Sequence, residues 1–224
     1  MTTKNDLVRS YIWARELTGE EVDRAAKGIT ERTWPKGGYI VHRGDRFDFW
    51  TGIQSGLVKM STIGMTGKAV TFCGLGNGAW FGEGSVMKNE ARRYDLVALR
   101  ETRLALMNRA TFAWLYENSI GFNHFLLRQI NERLSQFIAT VEHDRILDSK
   151  ARVARNLSWL FNPVLYPGVV ETVEITQDEL AMLTGVSRAI TNRSLGELQG
   201  EGLLTAEHGR ITVHDVKGLI SYGD

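Results

Sequence analysis

The sequence predicts an α+β protein in three parts: an antiparallel β domain, a long helix and a helical domain ending in a β-hairpin. Three observations lead to this prediction. Short β-prone stretches separated by glycines fill residues 34–106, a helical pattern covers residues 122–147, and two capped helices begin near residue 176. The predicted parts are residues 1–121, 122–147 and 148–224.

The β-prone stretches of the first part are residues 38–42, 52–60, 69–73 and 94–99. Gly44, Gly56, Gly67 and Gly82 fall between or beside them, where turns or bulges require a positive φ. Many short strands at this spacing indicate an antiparallel sandwich or roll.

The long helix carries an apolar seam with alternating spacings of three and four residues, formed by Leu127, Ile130, Leu134, Phe137 and Val141. A helix packed on its own domain explains such a seam. Its position between two domains favours dimerisation instead. The helix would be roughly 39 Å long at about 1.5 Å per residue, long enough to join two subunits.

The strongest local pattern is a helix-turn-helix over residues 176–204. Thr176 and Glu179 match a capping box at the start of the first helix. Gly185 suits the tight turn, and Ser187 is placed to cap the second helix. A helical hairpin without a nucleic-acid role is the alternative.

The second helix separates its residues by face. Thr191, Leu195 and Leu198 are spaced to pack inward, and the opposite face carries Arg188, Ala189, Asn192 and Arg193. Arginine can form bidentate bonds to guanine and asparagine to adenine, in the major groove that such a helix enters. The sequence therefore predicts a DNA-reading surface here.

A hairpin follows over residues 203–213, turning at His208 and Gly209. It predicts a wing with Arg210 near its tip, suited to a DNA phosphate. Residues 150–224 contain seven Lys and Arg against nine Asp and Glu, and the whole chain has a net charge of +1. DNA binding must therefore depend on a few well-placed arginines.

Composition narrows the functional classes. The 224 residues are 43% hydrophobic, enough for a core, and 24% charged, which gives no sign of disorder. The single cysteine, Cys73, excludes an internal disulfide and a four-cysteine zinc or iron–sulfur site. The absence of a signal-peptide pattern and of a membrane-length apolar run predicts a cytoplasmic protein with no membrane partner.

With these residues in place, the chain resembles the Crp/Fnr family of transcription regulators. The resemblance includes Phe81-Gly82-Glu83, the long helix, the domain order and residues 186–188 at the second helix. It implies a cyclic-nucleotide-binding-like β-roll, a dimerisation helix and a winged helix-turn-helix. It also implies a homodimer on palindromic promoter sites, with half-sites about one helical turn apart, and RNA polymerase as a partner.

In relatives that bind cyclic nucleotides, the resemblance implies that Glu83 holds a ribose hydroxyl and Arg93 the cyclic phosphate. Here Tyr94 and Asp95 stand where those relatives carry a small hydroxyl residue and alanine. Phe137 and Ile138 stand at two positions where the relatives that bind cyclic AMP carry hydroxyl side chains that contact adenine. A phenol would fill the space and a carboxylate would repel phosphate, so cyclic AMP is not the expected effector.

Two other readings of the pocket remain open. Glu83 and Arg93 can form a structural ion pair, which we favour, or another small or partly apolar effector can lie between the roll and the long helix. No haem or iron–sulfur cofactor is expected, because only His42 and Cys73 in the roll could ligate one and neither lies in a haem motif. Cys73, in an apolar strand, is expected to be inert core.

Ala189 departs from the family pattern, because relatives carry a glutamate there that reads cytosine. Alanine offers only an apolar contact, such as a thymine methyl, so the half-site should differ at this position. Two other classes fit less well. A cupin-like enzyme would need clustered His ligands, and a cyclic-nucleotide module regulating a partner protein would leave the helix-turn-helix without a role.

Overall fold

A computed structural model describes residues 3–65, 67 and 69–223. Most strands lie in the first half of the chain, and most of the second half is helical. In chain order they are α1 Lys4–Ser10, a 3-10 helix Ile12–Glu16, α2 Gly19–Gly28, β1 Ile29–Trp34, β2 Tyr39–Val41, β3 Phe49–Ser55, β4 Val58–Ile63, β5 Ala69–Leu75, β6 Trp80–Phe81, α3 Glu83–Lys88, β7 Asp95–Ala98, β8 Thr102–Asn108, α4 Arg109–Asn118, α5 Ile120–Ile146, α6 Ser149–Trp159, β9 Thr172–Val173, α7 Gln177–Thr184, α8 Arg188–Gly200, β10 Leu204–Glu207, β11 Arg210–Val213 and α9 Val216–Ile220.

The N-terminal part is the predicted antiparallel roll. Its strands form two four-stranded sheets in the orders β1-β8-β3-β6 and β2-β7-β4-β5. The predicted stretch 52–60 is divided between β3 and β4 because the chain turns at Gly56, where φ is 119°. A Cβ at Gly56 would lie 2.4 Å from Oγ1 of Thr102, so glycine is required there.

The N-terminal helices, α4 and the start of α5 pack on the outside of the roll around an aromatic cluster. Trp50 and Trp80 have ring centroids 4.3 Å apart, and Trp13 contacts Trp50 at 5.4 Å. Phe112 and Phe122 close the cluster at 5.5 Å from each other. Each such aromatic pair adds about 1 kcal/mol of stability beyond the contribution of its buried area. The cluster therefore fixes the beginning of α5 to the roll.

Helix α5 has 27 residues and begins two residues before the predicted start, because Ser119 caps it through the N–H of Phe122. It ends where Leu147 becomes extended. Asp148, the first residue of the predicted C-terminal part, caps α6 by accepting a hydrogen bond from the N–H of Ala151 at 2.8 Å. No helix in the described part of the chain combines the length and apolarity needed to cross a membrane.

The C-terminal part is the predicted winged helix-turn-helix. Helices α6, α7 and α8 pack around Leu157, Leu180, Leu195 and Leu198, all essentially inaccessible. The wing is a three-stranded sheet in the order β10-β11-β9. The apolar core of the C-terminal part is continuous with the interior of the roll, so the two domains are in direct contact.

Candidate nucleic-acid interface and effector pocket

The first helix of the motif, α7, begins at the predicted capping box. The hydroxyl of Thr176 accepts from the N–H of Glu179 at 3.2 Å, and the Glu179 carboxylate accepts from the N–H of Thr176 at 2.7 Å. Helix α7 ends at Gly185, whose φ of 68° is the positive value expected for the turn. These local predictions are confirmed.

Helix α8 has the predicted cap and the predicted inward face. Ser187 accepts from the N–H of Ile190 at 3.3 Å. Thr191, Leu195 and Leu198 are all buried. The cap and the buried face together fix the first turn of α8, and the opposite side of this helix faces solvent.

The opposite face of α8 places four predicted DNA-reading side chains in solvent, those of Arg188, Ala189, Asn192 and Arg193. Arg188 Nε lies 3.2 Å from Asp178 Oδ1, and Arg193 Nε lies 3.8 Å from Glu197 Oε1. Both arginine side chains are at least 70% exposed, so these ion pairs are weak. Both guanidiniums are available to exchange their carboxylates for phosphate or guanine.

The wing turns at His208 and Gly209, as predicted, with β10 and β11 in register from Leu204 opposite Val213 to Glu207 opposite Arg210. Arg210 is exposed and lines a cleft of about 260 Å³ against the roll. The third strand, β9, was not predicted from the sequence, because two residues carry no alternating pattern.

The segment predicted to begin the effector pocket lies where β6 passes into α3. Gly82 has a φ of 93° and leads directly into Glu83, the first residue of α3. Glu83 is partly buried and accepts a long hydrogen bond of 3.5 Å from Gln129 on α5. The predicted Phe81-Gly82-Glu83 segment therefore faces the long helix.

Arg93 does not enter this pocket, and the predicted Glu83–Arg93 ion pair is not formed. Arg93 is 77% exposed and bonds Glu90 at 3.1 Å. Arg92 is buried instead and donates to the carbonyl oxygen of Phe49 at 2.7 Å. Both arginines lie in the irregular segment before β7, and the backbone there directs Arg92 inward and Arg93 outward.

Arg92 is held tightly against the pocket backbone. A Cβ at Gly82 would lie 2.3 Å from Nη1 of Arg92, so only glycine leaves room for this guanidinium. Nη2 of Arg92 also donates to the carbonyl oxygen of Phe47 at 3.3 Å. Its Nε and Nη1 are buried and have no hydrogen-bond partner among the described residues.

Of the other predicted pocket residues, Tyr94 and Phe137 are partly buried and pack on the roll core. Burial raises the pKa of the Tyr94 phenol. Ile138 is 60% exposed and lies outside the pocket, because α5 turns this position away from the roll. Asp95 is also directed away, since its carboxylate accepts from the N–H of Arg43 at 2.8 Å.

Sequence reasoning missed the polar side of α5 that faces the roll. Gln129 and Gln136 are buried, and Arg133 lies between them with a buried Nη2 that has no hydrogen-bond partner in the described structure. Their spacing of four and three residues places all three on one helical face, which is the signal that could have revealed them. Arg133 thus lies close enough to Glu83 for their charges to interact.

The apolar seam of α5 lies on the other side. Leu127, Leu134 and Val141 are all more than half exposed, and Ile130 is 40% exposed. Phe137 differs from these, because it is partly buried and packs on the roll core. Ile138 lies beside the exposed four, so these five aliphatic side chains form an exposed stripe along the middle of α5.

No three His, Cys, Asp or Glu side chains within the described ranges lie together as metal ligands would. Cys73 is buried, and this burial raises the pKa of its thiol. The neutral thiol is therefore packed in the roll as a small apolar group.

The different positions of the two adjacent arginines predict different effects on stability. Arg92→Ala should lower the free energy of unfolding by about 3 kcal/mol, because it opens a cavity and leaves the carbonyls of Phe47 and Phe49 without their donor. Arg93→Ala is the matched control and should change it by less than about 0.5 kcal/mol. Urea unfolding of both variants measures this, and equal losses would contradict the assignment.

Two family profiles match most of the chain. Residues 31–119 match the family described as "Cyclic nucleotide-binding domain", and residues 151–222 match "Crp-like helix-turn-helix domain". The chain is 29% identical over 209 residues to the "Cyclic AMP receptor protein" of Thermus thermophilus, covering 92% of this chain and 95% of that protein.

Two further relatives agree with this assignment. The "Transcriptional regulator SdrP" of Thermus thermophilus is 30% identical over 173 residues, covering 75% of this chain and 80% of the relative. The crystal structure of the Thermus thermophilus catabolite activator protein matches with a TM-score of 0.51 and 27% identity, over 93% of this chain and 97% of that one. With its capped helix-turn-helix, its wing and its roll, the chain belongs to the Crp/Fnr family of transcription regulators.

Proposed function

We propose that this chain is a homodimeric, sequence-specific DNA-binding regulator of transcription whose effector is not cyclic AMP. The observation that carries the proposal is the exposed face of α8, where Arg188, Asn192 and Arg193 project from a helix held by Ser187 and a buried opposite side. A capped helix with this face and a following wing is the arrangement that enters a major groove. The regulator would act in the cytoplasm with RNA polymerase.

The chemistry of this face suggests how bases are read. Arg193 suits a bidentate contact to guanine, Asn192 suits adenine, and Arg188 suits a phosphate or a second guanine. Ala189 has only a methyl group to offer, so we expect its base pair to differ from the one that relatives with glutamate select. Thr176, Ser187 and Arg210 would add contacts to the DNA phosphates.

The exposed side of α5 supports the homodimer. Leu127, Ile130, Leu134, Ile138 and Val141 leave an aliphatic stripe in water along about four turns of the helix. A second copy would cover this stripe with its own, as coiled-coil seams do. Twofold symmetry would then set two α8 helices to read the halves of a palindrome.

The pocket supports an effector other than cyclic AMP. Tyr94 and Phe137 occupy space on the roll core, and neither supplies the small hydroxyls expected for that ligand. Asp95 adds nothing to this argument, because its carboxylate is bonded to the N–H of Arg43. One observation favours the alternative of a cyclic-nucleotide-responsive regulator. Among the described residues, Arg92 and Arg133 have buried donors without hydrogen-bond partners, which suit an anion.

Arg193→Ala should weaken DNA binding by about tenfold to a hundredfold, because one bidentate base contact contributes about 1–3 kcal/mol. The measurement is fluorescence anisotropy at fixed salt on a site selected with the full-length protein. Arg93→Ala is a close control, since both arginines are exposed and pair with a glutamate on the same segment. Wild-type affinity in Arg193→Ala would refute the reading surface.

Leu134→Glu should convert a dimer into a monomer at micromolar concentration, because it places a charge in the apolar stripe of α5. Light scattering after size-exclusion chromatography reports the mass. Ser135→Glu, at the neighbouring exposed position, should remain dimeric. A monomeric wild type, or a dimeric Leu134→Glu, would exclude this interface.

Cyclic AMP at about 1 mM should leave the melting temperature unchanged. A ligand with a micromolar Kd would add about 4 kcal/mol of stability at that concentration. The Tyr94→Ser variant, which restores a small hydroxyl, tests whether the phenol is the obstacle. A clear shift of the wild type with cyclic AMP would establish the cyclic-nucleotide-responsive alternative.

A further inference from the structure

One cleft lies on the outside of the roll, with α1 on one side and residues 29–31 of β1 and Arg103 of β8 on the other. We call it the α1 cleft. Its volume is about 620 Å³, within the range of roughly 300–1,000 Å³ that small-molecule pockets occupy. Strands β1 and β6 are the two opposite edges of one sheet, so the α1 cleft and the segment that leads to Glu83 lie at opposite edges.

One wall of the α1 cleft is apolar. Leu7 and Val8 of α1 meet Ala26 of α2 and Ile29 of β1 there. Val8, Ala26 and Ile29 are buried and belong to the core that joins the N-terminal helices to the roll, whereas Leu7 is partly exposed. Core packing therefore fixes this wall, and an apolar ligand would gain free energy by covering it.

The pairing of β1 with β8 places charged side chains beside this wall. Side chains alternate between the two faces of a strand, so Glu31 and Thr33 point to the same face as Ile29. Arg103 is the residue of β8 that pairs with Thr33, which places it on that face as well. Glu31 and Arg103 are both exposed, so the helices that bury Ile29 leave this end of the face open.

Two cations of the α1 cleft lack a carboxylate partner. Lys4 and Arg103 line the cleft, and neither forms an ion pair within residues 3–65, 67 and 69–223. Glu31 is the carboxylate among the described lining residues, and it accepts a hydrogen bond from Gln54 Nε2. The lining thus has an excess of one positive charge, which suits an anion with a single charge better than a doubly charged phosphate.

Helix α1 is held in place over the cleft by polar contacts. Thr3 and Asp6 form a capping box at its start. Asn5 Nδ2 donates to Asp23 of α2 at 2.6 Å. A ligand would therefore meet a formed site, and it would not have to order the helix when it binds.

We infer that the α1 cleft binds an amphipathic carboxylate. Its aliphatic chain packs on Leu7, Val8 and Ile29, and its carboxylate is held by Lys4 and Arg103 through charge-assisted hydrogen bonds. The site shares no residue with the DNA-reading face or with the predicted effector pocket, so the inference does not depend on the proposed function.

The probe is decanoate, titrated into the full-length protein by calorimetry, with decanamide as its uncharged counterpart. Decanoate should bind with a Kd of about 100 μM, as expected for a ligand of its size. Decanamide should bind at least about tenfold more weakly, because it cannot form the charge-assisted bonds. Equal affinities for the two compounds would overturn the role of the two cations, and no binding of decanoate would overturn the site.

Three variants separate the parts of the site. Arg103→Gln should weaken decanoate binding about tenfold, and Leu7→Asp should abolish it by placing a charge on the apolar wall. Arg9→Gln, in the exposed last turn of α1 and outside the cleft, is the matched control and should bind as the wild type does. Wild-type affinity in Leu7→Asp, or an equal loss in Arg9→Gln and Arg103→Gln, would contradict the assignment.

Hydrogen exchange of the wild type locates the bound probe without any substitution. Decanoate should slow exchange in residues 4–10 and 29–31. Protection of the exposed stripe of α5 without protection of these two segments would show that decanoate binds elsewhere and would overturn the inference.

Discussion

From Gln129 onward, the fully buried side chains of helix α5 are polar and its exposed stripe is apolar, and the arrangement of the other domains depends on this inverted pattern. Gln129 and Gln136 are inaccessible on the roll side, whereas Leu127 and Leu134 lie in water on the other. A polar face is stable in the interior only where each group finds a partner. The helix therefore requires matching polar groups from the roll and from the C-terminal loop on one side, and an apolar surface on the other.

The polar side explains how two buried arginines are held. Removing an arginine from water costs several kcal/mol, and Arg92 and Arg133 both bury guanidinium nitrogens. Carbonyl oxygens from Phe47 and Phe49 offset part of this cost for Arg92, and the Tyr166 phenol does so for Arg133. The charge of Glu83 also favours the charged form of Arg133, and together with Tyr166 it raises the pKa of this guanidinium.

The helix-turn-helix was predictable from the sequence because its signals are local. The Thr176–Glu179 box, Gly185 and Ser187 each act within four residues, so their spacing alone indicates their geometry. The position of Arg92 in the roll was harder to predict, because it lies in an irregular segment before β7, where no periodic pattern tells which side chain points inward. The contact of Leu183 with Gly74 joins segments that are far apart in the sequence, so no local pattern predicts it.

Glu179 has two roles that separate when the domains move. Its carboxylate caps α7 through the N–H of Thr176 and also bonds Arg100 on the roll. The cap lies wholly within the first turn of α7, whereas the Arg100 bond joins two domains. The start of α7 therefore depends on its own residues and not on the contact with the roll.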